Sequence, residues 1–180
     1  MPRAVIVLLI LAAVSCAREP GLFVDSNARA HIGMLAGTIG SRPAGTPANA
    51  RAREYIIDQL KQIGFAVRVQ ETDARRHELG LTARVANIIG VLPGERSEAL
   101  GLISHYDSSP HAPGATDDAL GVGVSLEAAR VFAASGRRHW SMFVIVTDAE
   151  EAGLMGAAAL VTDREVMDRL RAYINLESIG

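Results

Sequence analysis

Residues 104–123 read SHYDSSPHAPGATDDALGVG, and this stretch decides the fold. The apolar residues Leu100, Leu102 and Ile103 precede it and predict a buried strand ending at His105. Asp107 follows two residues on, then a Gly- and Pro-bearing loop, then the pair Asp117 and Asp118 at the start of an apolar helix. Such a strand brings a neutral imidazole and a carboxylate to the head of a loop, and the loop can bend further carboxylates toward the same point. The stretch therefore predicts half of a zinc site, with the other half downstream.

Downstream, Met142–Val146 (MFVIV) is a continuous apolar run, expected as a strand covered on both faces. It ends in Asp148, Glu150 and Glu151. Helical segments follow around 154–160 and 164–170, then a strand over 172–176 that ends at Glu177. Alternating strands and helices predict a parallel sheet with right-handed crossovers. Ligands gather at the carboxyl ends of strands in such sheets. His105, the Glu150–Glu151 pair and Glu177 all stand at such ends, and that convergence points to a single site. Taken singly, each has a structural explanation. His105 with Asp107 fits a hydrogen-bonded core pair, and the acid pairs fit helix caps.

Upstream, Ser26 is expected as an N-cap, with Ala28, Ile32, Leu35 and Ile39 on one helix face up to Gly40. SRPAGT (41–46) reads as a turn-rich loop, Pro47 as the first turn of a second helix, and Gly64 as its end. Phe65, Val67 and Val69 alternate with polar positions, which predicts a half-buried strand. Arg84–Leu92 is a further strand. Its short polar link, Pro93-Gly94, toward the strand at 100–104 suggests that these two pair antiparallel. Val122, Leu126, Ala129 and Phe132 form an apolar helix face that Gly136 terminates.

Bulk properties narrow the class. The 180 residues suffice for one domain with a sizeable core. Hydrophobic residues at 49% and charged residues at 21% describe a globular chain, not a disordered one. A net charge of -2 gives no footprint for nucleic acid, and 4% aromatics leave few stacking platforms. Residues 1–17 have a basic start, an apolar core and a small-residue exit, the pattern of a secretory signal. Ala13-Val14-Ser15-Cys16 also resembles a bacterial lipobox, so membrane attachment through a lipid on Cys16 stands beside an ordinary cleaved signal. With no other cysteine, disulfides and thiolate zinc sites are excluded. An extracytoplasmic location is expected. Residues 18–25 read as a linker and 26–180 as the folded domain.

The pieces SHYDS (104–108), APGATDDALGVG (112–123), DAEEAGLMGA (148–157) and YINLESIG (173–180) together resemble the co-catalytic zinc exopeptidases. That group includes bacterial leucyl aminopeptidases, glutamate carboxypeptidases, the endoplasmic-reticulum metallopeptidase branch and, as a variant of the same fold, glutaminyl cyclases. The likeness extends weakly through GSRPAGTPANARAREYI (40–56). It implies an α/β three-layer sandwich with a mixed, mostly parallel central sheet, C-terminally incomplete within these 180 residues. It implies further that His105 and Glu177 bind one zinc ion, Asp117 bridges to a second, and Glu151 binds that second ion. Glu150 is then the general base, and Asp107 orients the His105 ring. The peptide bond after the bridging acid, Asp117-Asp118, is often cis in that family.

The implied activity is that of an aminopeptidase acting on peptides through a water activated by two zinc ions. Two alternatives stand beside it: a glutaminyl-cyclase-like acyltransferase with a single zinc, and a catalytically inactive binding module. Leu120, where the family usually has Ser, and Glu177, where Asp is more common, are departures; a Glu there resembles the endoplasmic-reticulum branch. The second ion also needs a histidine from a later strand. His31, His77, His111 and His139 are not placed to supply it, so a longer parent protein is expected.

Overall fold

The computed structural model describes residues 21–178. The signal or lipobox reading of residues 1–17 lies outside the described residues. Helix α1 spans Asp25–Ile32, so it begins one residue inside the stretch read as a linker. Ser26 is not its cap. The cap position is Val24, with no side-chain cap bond, and its own N–H donates to Glu127 of another helix at 2.8 Å. A wider π-helical stretch, Gly33–Ile39, continues the helix to Gly40. Helix α2, Pro47–Ile63, has Thr46 accepting the Asn49 N–H at 3.2 Å and ends on Gly64 at φ 103°, a conformation natural to glycine.

Strands β1 (Ala66–Arg76), β2 (Leu81–Leu92), β3 (Ala99–His105), β4 (Ser141–Thr147) and β5 (Leu170–Asn175) form one sheet. Their order is β1-β2-β4-β3-β5. The pairs β1·β2 and β2·β4 are antiparallel, whereas β3·β4 and β3·β5 are parallel. The sheet is therefore mixed, with its parallel half at the strand ends that carry His105 and the acids.

The expected pairing of β2 with β3 does not occur, because β4 lies between them. All seven residues of β4 are buried, which a strand at the middle of the sheet satisfies and an edge strand does not. The link after β2 is longer than a hairpin turn and wraps the start of β4. Gly94 N–H donates to Ser141 Oγ at 3.1 Å, Glu95 N–H to the Arg138 carbonyl at 2.8 Å, and Arg96 N–H to the His139 carbonyl at 3.0 Å. A side chain at Gly94 would meet the Trp140 carbonyl oxygen at 2.3 Å, so only glycine allows this approach.

Alternation along β4 divides the core in two. Met142, Val144 and Val146 face Ile56 and Leu60 of α2 and Val122 and Leu126 of helix α3 (Leu120–Ala134). Phe143 and Ile145 face Leu160 of helix α4 (Met155–Leu160) and Val166 of helix α5 (Arg164–Arg169). Each such side chain contributes about 1.5–3 kcal/mol on full burial. The result is a three-layer α/β sandwich. Among the described residues no helix is long and apolar enough to cross a membrane.

Candidate metal centre

The last residue of β3, His105, is almost fully buried, and its ring points toward the carboxyl end of the sheet's parallel half. Its Nε2 lies 3.0 Å from Asp117 Oδ1 and 3.2 Å from Glu177 Oε1. Ligand atoms of these three residues all lie within 4.8 Å of one another. Asp117 and Glu177 remain partly open to solvent, so the cluster has a buried nitrogen wall and an accessible oxygen wall. Glu150 Oε2 stands 3.8 Å from the same nitrogen. One imidazole with carboxylates fits zinc by donor type, and a water or substrate has room at the open side.

The loop that places Asp117 is held from several directions. Asp118 is buried; its Oδ2 accepts the His105 N–H at 3.1 Å and its Oδ1 the Gly121 N–H at 2.9 Å. This one side chain ties the end of β3 to the start of α3, so Asp118 does act as a helix cap and a strand clasp together. A Cβ at Gly121 would come within 2.3 Å of Asp118 Oδ1. The Asp117-Asp118 peptide bond is cis. Beneath the loop lies Arg42, fully buried, with Asp107, Asp118, Asp117 and Glu151 near enough to favour its charge. Its guanidinium donates to the carbonyls of Tyr106 at 2.7 Å, Gly114 at 3.0 Å and Gly40 at 3.4 Å, and to that of Pro113. The Arg42 side chain thus fastens both the residue after His105 and the approach to Asp117.

Asp107 lies buried under the site. Its Oδ1 is 3.3 Å from His105 Nδ1, an ion-pair distance without hydrogen-bond alignment, and Nδ1 has no aligned partner. The same carboxylate accepts the N–H of Glu150 at 2.9 Å and of Glu151 at 3.1 Å. It therefore holds the acid pair by its backbone as well as facing the imidazole. Glu151 does not join the cluster; its exposed carboxylate accepts the Ser109 N–H at 3.0 Å. Of the other histidines, His31 bonds the Tyr55 hydroxyl at 2.6 Å and His139 faces Glu95 at 3.6 Å, both away from the cluster.

The electrostatics follow from packing acids around one ring. Burial alone would lower the His105 pKa, but Asp107, Asp118 and Glu177 outweigh it and raise it to about 10. Asp118 is pushed up to about 7 by burial, against the pull of the two N–H groups it accepts. Burial also raises Glu150; nearby His105 opposes this, while Glu177, Asp107 and Glu151 add to it. A carboxylate with a raised pKa beside a metal-ligand cluster suits proton transfer.

Comparison with known proteins identifies the family and the fold. The family model for peptidase family M28 matches residues 87–180, and the chain belongs to that family. It is 30% identical over 161 residues to human endoplasmic reticulum metallopeptidase 1, a match covering 79% of this chain and 18% of the human protein. The chain spans about a fifth of the length of the curated relatives it matches first. Among solved structures it resembles a Zn-dependent exopeptidase from Parabacteroides distasonis, with TM-score 0.76 and 24% identity over 88% of this chain and 62% of that one. It also resembles glutaminyl cyclase from Porphyromonas gingivalis, with TM-score 0.78 and 24% identity over 88% of this chain and 60% of that one. Both structural likenesses establish the fold.

Proposed function

We propose that this chain carries the catalytic region of a zinc-dependent exopeptidase, an aminopeptidase that hydrolyses the N-terminal peptide bond of a peptide. The observation that supports this most is the meeting of His105 Nε2, Asp117 and Glu177 within 4.8 Å, with Glu150 beside them. His105, Asp117 and Glu177 would hold one zinc ion. Glu151, which here accepts the Ser109 amide, would with Asp117 supply carboxylates for a second. When bound, zinc polarises the scissile carbonyl and lowers the pKa of water. Glu150 takes a proton from the attacking water and delivers it to the leaving amine nitrogen as the C–N bond breaks. Asp107 fixes the His105 ring and the backbone of the acid pair, so ligand and base keep their spacing. The peptidase family implies a peptide substrate; the site of action is extracytoplasmic, with the N-terminal segment either a cleaved secretory signal or a lipid attachment at Cys16.

A glutaminyl-cyclase-like acyltransferase with one zinc is favoured by one observation: the donors that converge here suffice for a single ion, since Glu151 stands apart. Zinc stoichiometry, measured on a longer form that carries the later histidine, separates the two readings, two ions for the peptidase and one for the cyclase. The peptidase is tested with Glu150→Gln, assayed on an aminoacyl-p-nitroanilide beside zinc content. Retained zinc with turnover reduced a hundredfold or more supports the assignment. Unchanged turnover removes Glu150 as the base.

A further inference from the structure

Directly after β4 the chain must turn sharply to bring Glu150 back toward His105, and it does so through Ala149, which is buried and has φ 52°. That left-handed conformation is unfavourable for alanine and persists only where its surroundings enforce it. The enforcing group is Asp148, a buried carboxylate with no role in the chemistry above. Its Oδ1 accepts the Ala149 N–H at 2.9 Å and the Asn49 Nδ2–H at 3.1 Å. Its Oδ2 accepts the Ala86 N–H of β2 at 3.1 Å. Its own N–H donates to Asn87 Oδ1 at 2.9 Å, and Asn87 Nδ2 donates in turn to the Gly156 carbonyl at the start of α4 at 2.8 Å. A Cβ at Gly156 would sit 2.2 Å from the Asp148 carbonyl oxygen, so the turn is closed on that side too.

We propose that Asp148 is the positioning residue of the acid pair: its carboxylate locks the Ala149 turn that presents the Glu150 and Glu151 amides to Asp107 and the Glu150 side chain to His105. The inference rests on the assignment of Glu150 and Glu151 made above. Asp148 touches neither ligand atoms nor substrate; it acts through the backbone. The division of work is clear from the donors. Asp107 accepts the amides of Glu150 and Glu151, Asp148 accepts the amide of Ala149, and three consecutive N–H groups are thereby fixed by two buried carboxylates. Asn49 and Asn87 deliver the restraint from α2 and β2. Burial raises the Asp148 pKa, with the Asn49 and Ala86 donors pulling it back.

Asp148→Asn tests this, because the amide keeps the size while turning one acceptor into a donor that faces an N–H. In the intact 180-residue chain, amide hydrogen exchange at Glu150 and Glu151 is expected to rise tenfold or more, with Phe143–Ile145 in β4 unchanged. The zinc dissociation constant is expected to rise about tenfold. Unchanged exchange at Glu150 and Glu151, or an increase that β4 shares equally, overturns the proposal, since the latter marks a loss of general stability. Asn49→Ala removes one donor and leaves the carboxylate. It should raise exchange at the same two amides about threefold, and no local change there counts against the proposal even if Asp148→Asn fails to fold. Exchange is read without zinc, so it decides the role of Asp148 whether or not the metal assignment holds.

Discussion

Glu127→Gln should cost stability that depends on pH in a defined window. Glu127 lies buried on α3 and accepts four donors: the Val24 N–H at 2.8 Å, Asn27 Nδ2 at 3.1 Å, and two from Arg130, Nε at 2.8 Å and a terminal nitrogen at 2.6 Å. Burial opposes its charge, but the Arg130 bonds and then the Val24 and Asn27 donors lower its pKa from 4.5 to about 2. At full strength that shift corresponds to about 3 kcal/mol. Arg130 is partly exposed, so solvent screening reduces the contribution to about 1–2 kcal/mol, roughly 3–6 °C in melting temperature for a chain of this length. A depressed carboxylate pKa stabilises above the unfolded value, 4.5, and the benefit fades as pH falls toward about 2. Less than about half of it remains at pH ~3. Thermal melts of wild type and Glu127→Gln from pH 7 to pH 3 read this directly. The gap should be present at pH 7 and shrink by more than half at the acid end. A gap that is absent at neutral pH, or equal at both ends, refutes the reasoning. The consequence reaches the site, because Glu127 ties the start of α1 to the helix that Asp118 clasps to β3.

Gly121→Ala should lower stability by about 1–3 kcal/mol in urea titration, since the new methyl would overlap the Asp118 carboxylate at 2.3 Å and force one of the two to move. Zinc uptake should weaken with it, because Asp118 holds the His105 backbone. Zinc affinity should rise steeply with pH: the His105 ring, its pKa raised to about 10, must lose a proton to ligate metal. Below that value the apparent association constant should climb about tenfold per pH unit in buffered competition titrations. A flat profile from pH 6 to pH 9 would contradict proton loss from a His105 ring of raised pKa on binding.

Much of the architecture was legible because burial and period coincide. MFVIV predicted a strand covered on both faces, and β4 is buried throughout at the middle of the sheet. Pro47 and Gly64 marked the ends of α2 by local backbone chemistry. Pairing was not legible between β2 and β3. Their short separation in sequence suggested a hairpin, while the true neighbour of β2 arrives some fifty residues later and displaces β3. The Ser26 cap failed because the helix starts at Asp25, one residue before it, and the cap position falls on Val24, whose N–H a long-range carboxylate accepts.

In the site, motif residues at strand ends were readable, and Asp107 behind His105 with them; Arg42, Asn87 and Asp148, which hold the loops, were not. Arg42 looked like one more polar residue in a turn-rich loop, and its complete burial depends on the loop folding over it. Asn87 was a lone amide inside the apolar run RVANIIGVL, and Asp148 the first acid after an apolar strand; in hindsight those two were signals of a buried polar lock. Glu151 was read as a ligand from its place in the motif alone, and its carboxylate accepts the Ser109 amide here.

The most direct test of the central assignment is zinc binding by the intact chain, measured by competition with a chromogenic chelator for wild type, His105→Ala and Glu177→Gln. The account predicts tight binding by wild type and a loss of affinity of a hundredfold or more in His105→Ala, with a smaller loss in Glu177→Gln. Equal zinc binding by wild type and His105→Ala, or none by wild type at neutral pH, would contradict it.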